Sequence, residues 1–268
     1  MHRLLVLKPF WSANLVGCAM PVQFSSKLQS LLIPSTRVVV FTGAGISAES
    51  GVPTFRGQNG LWNEFRVEDL ATQQAFAAHP QRVWEWYSWR RELISRLEPN
   101  PGHLAVAKFE KFFPDFCLVT QNVDGLHNRA GSERILKLHG DIWEVRCLSC
   151  GLRRMDYQPV LTSLPPRCAC GGMLRPGVVW FGEMLPVDVF EQAVEATQSC
   201  GLFLSVGTSA EVFPAAQLPG IARQHGAYVV EVNIERSAAA HAAHEVLLGK
   251  SGEILAEVLA KLQGVRAG

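Results

Sequence analysis

Short apolar runs that end in small or polar residues recur along the chain. Runs that are apolar throughout are typical of parallel strands covered by helices on both faces. They cover residues 38–41, 116–119, 135–138, 202–206, 228–232 and 246–248. Helical stretches such as 80–97 and 187–199 lie between them. This alternation predicts an α/β fold with a Rossmann-like doubly wound parallel sheet, whose chemistry lies at the carboxyl ends of the strands.

Two stretches do not fit this alternation. Residues 57–103 are helical and aromatic in pattern, whereas residues 141–176 are rich in Cys, Gly and Pro. We interpret both as insertions that form a smaller domain on a core spanning 37–259. Residues 260–268 are then expected to be a C-terminal tail.

The N-terminal 36 residues are expected to be an extension, with Met20 as an alternative start. Residues 15–18 (LVGC) resemble a bacterial lipoprotein cleavage box, but Lys8, Pro9 and Asn14 interrupt the apolar region that a secretory signal needs. We therefore expect a cytoplasmic protein.

Composition limits the classes of partner. The chain has 268 residues, of which 48% are hydrophobic, enough for one main core with a smaller domain attached. Its net charge is +1 and it has no basic tract, which argues against direct nucleic-acid binding. No apolar run reaches the ~18 residues that suggest a membrane span. We expect a monomer.

Four of the seven cysteines crowd into one short stretch: Cys147, Cys150, Cys168 and Cys170. A C-x-x-C pair with a second close pair can supply four thiolates to one structural, tetrahedral Zn. The one-residue spacer of the second pair narrows its bite, so the first pair is the stronger prediction. A redox C-x-x-C or simple buried cysteines are the alternatives.

A glycine-rich turn follows the first predicted strand. Residues 43–48 (GAGISA) match the G-x-G-x-x-G/A fingerprint, in which glycines let the backbone approach a pyrophosphate. An ordinary dehydrogenase would continue with a second strand and an acidic residue about 20 positions later. Here residues 50–57 form a Pro/Gly loop instead, which argues against that class.

Residues 43–47 (GAGIS) followed by 51–56 (GVPTFR) resemble the NAD-binding signature of the sirtuin family. Further matching segments follow in the family's order: 120–127 (TQNVDGLH), 138–140 (LHG), 179–183 (VWFGE), 207–209 (GTS) and 232–235 (VNIE). The resemblance spans about residues 37–259. It implies a bacterial-type, class III protein-lysine deacylase that consumes NAD and acts on acyl-lysine proteins.

The resemblance also implies a role for each matching residue. His139 would be the general base, which suits an imidazole whose ordinary pKa is ~6.5. Considered alone, one histidine is better explained by a structural hydrogen bond, and the match at 138–140 reverses this. Asn122 and Asp124 would hold the nicotinamide end and the ribose, and Gln121 would orient ribose hydroxyls. The remaining positions implied to bind NAD are Gly43, Ala44, Gly45, Ser47, Pro53, Thr54, Phe55, Arg56, Val123, Gly207, Thr208, Ser209, Asn233, Glu235 and Ser251.

Tyr87 and Arg90 lie three residues apart, so they share one face of a predicted helix. One interpretation is an amphipathic helix with its arginines in solvent. Alternatively, Tyr-x-x-Arg resembles the motif of the sirtuin subgroup that removes succinyl, malonyl and glutaryl groups, because a guanidinium binds a carboxylate through two parallel bonds. Ala71 would leave room for a longer acyl chain, and Arg91 is an alternative carboxylate ligand.

The substrate peptide is expected to lie extended and to pair as an added strand. The residues expected to contact it are Val179, Trp180, Phe181, Gly182 and Glu183. The main hypothesis is therefore a deacylase for acidic acyl groups with weak activity on acetyl. A plain deacetylase, an NAD-dependent mono-ADP-ribosyltransferase and an inactive NAD-sensing or acyl-lysine-sensing module are the alternatives.

Overall fold

A computed structural model of the chain describes residues 22–55 and 66–266. The strands in this part of the chain are β1 (Val38–Thr42), β2 (Phe116–Thr120), β3 (Ile135–Lys137), β4 (Gly140–Cys147), β5 (Arg153–Met155), β6 (Leu174–Val178), β7 (Leu202–Val206), β8 (Tyr228–Asn233) and β9 (Glu245–Leu248). The α-helices are α1 (Ser26–Leu31), α2 (Ala44–Ala48), α3 (Val67–Leu70), α4 (Gln73–Ala78), α5 (Pro80–Ser95), α6 (Pro101–Phe112), α7 (Leu126–Arg129), α8 (Val187–Ser199), α9 (Leu218–Gln224) and α10 (Ser251–Arg266).

Six strands form a parallel sheet in the order β3-β2-β1-β7-β8-β9. These are the six predicted strands, so the doubly wound fold class is confirmed. The order in which strands are added to the sheet reverses between β1 and β7. From β1 the chain adds β2 and β3 on one side, and from β7 it adds β8 and β9 on the other. A doubly wound sheet binds its ligand at this switch point.

Strand β1 shows why its run of apolar residues is unbroken. Val38 and Val40 belong to a core cluster shared with α6 and α10. Val39 and Phe41 belong to a second cluster shared with α8 and α9, on the other side of the sheet. Because helices cover both faces, every position of the strand is buried.

The smaller domain combines α3, α4 and α5 with an antiparallel sheet of order β5-β4-β6. Its core includes Trp84 of α5, Ile142 of β4 and Leu174 of β6. Helix α6 begins inside the segment 57–103 that the pattern predicted as an insertion, yet it packs on the large sheet through Phe109. Strand β6 likewise runs beyond residue 176.

Both predicted chain ends need correction. Within the predicted extension 1–36, residues 22–36 belong to the fold: the Val22 N–H donates to Glu257 Oε2 at 2.8 Å, and Leu28 of α1 is fully buried. Residues 1–21 lie outside the described residues. The predicted tail 260–268 is wrong in part, because α10 continues to Arg266 and buries Leu262. Among the described residues, no helix combines the length and the apolar character that crossing a membrane requires.

Candidate active site

A cavity of about 890 Å³ opens at the carboxyl edge of the parallel sheet, where the loops after β1, β2, β7 and β8 meet. Most of the residues predicted to bind NAD or substrate line this cavity. They are Gly43, Ala44, Gly45, Thr54, Phe55, Ala71, Tyr87, Arg90, Gln121, Asn122, Val123, His139, Val179, Trp180, Phe181, Gly182, Glu183, Gly207, Thr208, Ser209, Asn233, Glu235 and Ser251.

Three described residues that were predicted to bind NAD do not line the cavity: Ser47, Pro53 and Asp124. Arg56 lies outside the described residues. Sequence reasoning missed several lining residues, among them Glu49, Phe213, Arg236 and Lys250. Arg236 and Lys250 could have been found by their position, because they follow closely on the predicted strands that end at residues 232 and 248.

The glycine loop packs directly against the loop that follows β7. The Gly45 N–H donates to the Gly207 carbonyl at 2.7 Å. A Cβ atom at Gly45 would lie only 2.7 Å from Gly207 Cα, and Gly207 has a left-handed φ of 57°. Glycine at both positions therefore allows two strand ends on either side of the switch point to meet.

Ser47 joins a buried polar network behind the cavity wall. Its hydroxyl donates to Asp124 Oδ2 at 2.8 Å and accepts from Asn122 Nδ2 at 3.2 Å. The backbone N–H of Asn100 donates to His103 Nδ1, so His103 Nε2 carries the proton and donates to Ser47 Oγ at 3.2 Å. Asp124 therefore fixes Ser47, and Ser47 fixes the side-chain amide of Asn122 at the cavity wall.

His139 lies two residues after the end of β3, at the cavity wall. Its Nδ1 is 3.0 Å from the Gln121 carbonyl oxygen, which can only accept, so Nδ1 carries the proton. Burial lowers the pKa of His139, and the bond to the Gln121 carbonyl opposes this only partly. The imidazole is therefore neutral at pH 7 with Nε2 as its acceptor, as a general base requires.

Helix α5 places a tyrosine and an arginine in the same cavity wall. Tyr87 and Arg90 are 3% and 5% exposed. The Arg90 guanidinium lies over the Phe55 and Trp86 rings, at 4.7 and 5.0 Å from their centroids. Within the described residues no carboxylate forms an ion pair with it, although the charge of Asp124 opposes the lowering of its pKa by burial. The interpretation that placed the helix arginines in solvent is therefore wrong.

Arg91, the alternative carboxylate ligand, is fully buried on a different side of α5. Its Nε donates to the Ile142 carbonyl at 2.8 Å, and its Nη1 is 3.8 Å from Asp156 Oδ1. It does not line the cavity. Arg91 therefore joins α5 to the small sheet and is not available to a ligand there.

The predicted peptide segment 179–183 is already held by the chain itself. The Val179 N–H donates to the His139 carbonyl, and the Phe181 N–H donates to the Ala71 carbonyl, both at 2.9 Å. The Trp180 N–H donates to Glu183 Oε2 at 2.8 Å. An added peptide strand would therefore find these three donors already occupied within the chain.

The four clustered cysteines converge at one point, with all sulfur atoms within 4.8 Å of one another. Cys147 Sγ lies 3.6 Å from Cys170 Sγ, and Cys150 Sγ lies 3.8 Å from Cys168 Sγ. Four ligands at the usual Zn–S distance in a tetrahedron are about 3.8 Å apart. Backbone N–H groups of Cys150 and Ser149 donate to Cys147 Sγ, at 3.5 and 3.4 Å, and lower the pKa of this thiol, which favours the thiolate. The residues fit one structural zinc, and the one-residue spacer does not separate Cys168 from Cys170.

Comparison with known proteins places this geometry in a family. The Sir2 family profile matches residues 43–214. The NAD-dependent protein deacylase of Aquifex aeolicus is 56% identical over 201 residues, covering 75% of this chain and 84% of its own length. NAD-dependent protein deacylase 2 of Pyrobaculum aerophilum is 50% identical over 234 residues, covering 87% and 94%.

Comparison with solved structures gives the same family. A Sir2 homolog in complex with NAD has 42% identity and a TM-score of 0.84, covering 91% of this chain and 96% of its own. A Sir2 complex with a p53 peptide and NAD+ has 30% identity and a TM-score of 0.77, covering 90% and 98%. The fold, the cavity at its switch point and the sequence matches together make this chain a member of the Sir2 family.

Proposed function

We propose that this chain is an NAD-dependent protein-lysine deacylase that prefers acyl groups with a distal carboxylate: succinyl, malonyl or glutaryl. Its products would be nicotinamide, O-acyl-ADP-ribose and the free lysine, and acetyl would be removed weakly. The deacylase part is supported by relatives that carry this activity in their names. The acidic preference rests on Arg90, a cation in the cavity wall without an ion-paired carboxylate among the described residues.

The cavity suits NAD by the chemistry of its lining. Amide and hydroxyl groups of Gln121, Ser209 and Asn233 suit ribose hydroxyls, and the glycine loop at 43–45 brings backbone to the cavity surface. When bound, NAD supplies the ribose carbon that loses nicotinamide and the hydroxyls that receive the acyl group. His139 Nε2 would take a proton from those hydroxyls.

The acyl end would be held by the α5 residues. A buried guanidinium without a counter-anion is costly, so a substrate carboxylate that reaches Arg90 gains the charge-assisted bonds that the chain itself does not provide. Tyr87 adds a hydroxyl beside it, and Ala71 adds only a methyl group to the wall. An acetyl group offers no charge to this arginine.

The test compares succinyl-lysine and acetyl-lysine versions of one peptide, with NAD, by peptide mass and nicotinamide release. The variants are Arg90→Met and Arg82→Met. Arg82 lies on the same helix but is exposed, in a 3.6 Å ion pair with Asp69, so its variant controls for lost charge. We expect Arg90→Met to lower kcat/KM for succinyl by about 10- to 100-fold, the effect of one lost bond to a charged group.

The same variant should leave acetyl removal within about twofold of the wild type, because no acetyl atom is expected to contact Arg90. Equal wild-type rates on both peptides would make the chain a plain deacetylase. Transfer of ADP-ribose to protein without loss of acyl groups would make it an ADP-ribosyltransferase.

A further inference from the structure

Trp180 makes a contact with Tyr87 that the peptide-binding prediction did not contain. The Trp180 indole N–H donates to Tyr87 Oη at 3.0 Å, and both side chains are buried in the cavity wall. An indole N–H is only a donor, so the tyrosine oxygen accepts here. The hydroxyl hydrogen of Tyr87 must then point elsewhere.

No acceptor among the described residues bonds to this hydroxyl. The nearby carboxylate is Glu183, whose charge acts on Tyr87. However, Glu183 already accepts from Arg175, from the Trp180 backbone and from Gln73. Burial raises the pKa of Tyr87 to about 12, so the hydroxyl keeps its hydrogen at any working pH. The chain therefore supplies Tyr87 with a donor and leaves the Tyr87 hydrogen for a ligand in the cavity.

Trp180 itself is fixed by a buried ion pair. Arg175 Nη2 donates to Glu183 Oε2 at 3.0 Å and Nη1 donates to Oε1 at 2.5 Å. The Arg175 guanidinium lies over the Trp180 ring at 3.5 Å from its centroid, while Glu183 accepts from the Trp180 backbone. Charge above the ring and a hydrogen bond to its backbone hold the indole in one orientation.

We propose that Trp180 is a positioning residue for acyl selectivity, which orients the Tyr87 hydroxyl so that it donates to the distal carboxylate held by Arg90. This inference rests on the proposed function. It assigns the Trp180 side chain of the segment 179–183 to the recognition of the acyl group, a different part of the substrate from the peptide backbone.

The test uses Trp180→Phe, Tyr87→Phe and the double variant on matched succinyl and acetyl peptides. Phenylalanine keeps an aromatic ring under Arg175 but has no N–H to donate. The control is Trp84→Phe: Trp84 is a fully buried tryptophan on α5 whose N–H donates to the Leu174 carbonyl at 2.8 Å, and it does not line the cavity. Binding of each peptide is also measured by calorimetry without NAD, so that affinity is read apart from turnover.

We expect Trp180→Phe to weaken binding of the succinyl peptide and to raise its KM by about tenfold relative to the acetyl peptide, while any change in kcat is the same for both peptides. In the Tyr87→Phe background the same substitution should have no further effect on succinyl, because the hydroxyl it orients is gone. Trp84→Phe should leave the succinyl-to-acetyl ratio unchanged.

Two results would overturn the role of Trp180: parallel losses on both peptides, or an undiminished effect in the Tyr87→Phe background. Either would leave the proposed function intact if the wild type still prefers succinyl. A wild type without that preference would refute the proposed function itself, and the role of Trp180 with it.

Discussion

Replacing Arg175 by methionine is expected to lower the free energy of unfolding substantially. Arg175 and Glu183 are only 6% and 12% exposed. The arginine also donates to the carbonyls of Val178 and Pro176, at 3.0 and 3.3 Å. Removing one partner of a buried pair leaves the other charge without compensation, which costs about 3–5 kcal/mol.

The pH dependence gives a second measure of the same pair. Burial pushes the pKa of Glu183 up, but the bonds from Arg175, from the Trp180 N–H and from Gln73 outweigh it, so the pKa lies below the ordinary value for a glutamate. A lowered carboxylate pKa adds stability at pH values above the unfolded pKa, and this stability is lost as the pH falls through the folded pKa. Without Arg175, burial would dominate and raise that pKa. The free energy of unfolding of the variant should therefore be closer to that of the wild type near pH 4.5 than at pH 7, because Glu183 in the folded variant binds a proton as the pH falls and loses its uncompensated charge.

The assay is urea denaturation of the wild type, Arg175→Met and Arg153→Met at both pH values. Arg153 pairs with Glu144 at 2.7 Å on the surface, with the arginine 53% exposed, so its loss should cost less than about 1 kcal/mol. A loss for Arg175→Met no larger than for this control would refute the reasoning, as would a loss that grows toward low pH.

Three further outcomes are expected. His139→Gln should lower turnover by about 100-fold or more, and kcat/KM of the wild type should rise with pH through a midpoint below 6.5, because the base must be neutral; a midpoint above 7 in the pH profile would contradict this. The purified chain should contain about one zinc by elemental analysis, and the Cys170→Ser variant should lose it while Cys200→Ser keeps it; equal zinc in both variants would contradict the four-thiolate site. Gly45→Ala should weaken NAD binding measured by calorimetry, because its methyl group would lie 2.7 Å from Gly207; unchanged affinity would exclude the close contact as a requirement.

The sheet and the cavity were predictable because both follow from local patterns. A strand covered on both faces is apolar throughout, and the polar residues after it, such as Gln121 and Asn233, then meet at one edge. The chain ends were harder to predict. Leu28 and Leu262 are buried through contacts with distant parts of the chain, which no local pattern announces.

The helix pattern also failed to predict that Arg90 and Arg91 are buried, because charged residues at consecutive positions usually indicate a solvated face. Only the tertiary structure places an aromatic ring beneath the Arg90 guanidinium and a backbone carbonyl within hydrogen-bond distance of Arg91. The bond between Trp180 and Tyr87 joins residues 93 positions apart, so the sequence could place each in the site but not join them.

The place of His139 in the chain connects the two halves of the molecule. Leu138 and His139 are the only two residues between Lys137, where β3 of the large sheet ends, and Gly140, where β4 of the small sheet begins. Strand β4 runs from there directly to Cys147, the first of the clustered thiols. The imidazole therefore takes its position from both domains at once. Loss of the metal would then disturb β4 and, through it, the imidazole. Turnover would therefore report on the integrity of the cysteine cluster, even though none of its four cysteines lines the cavity.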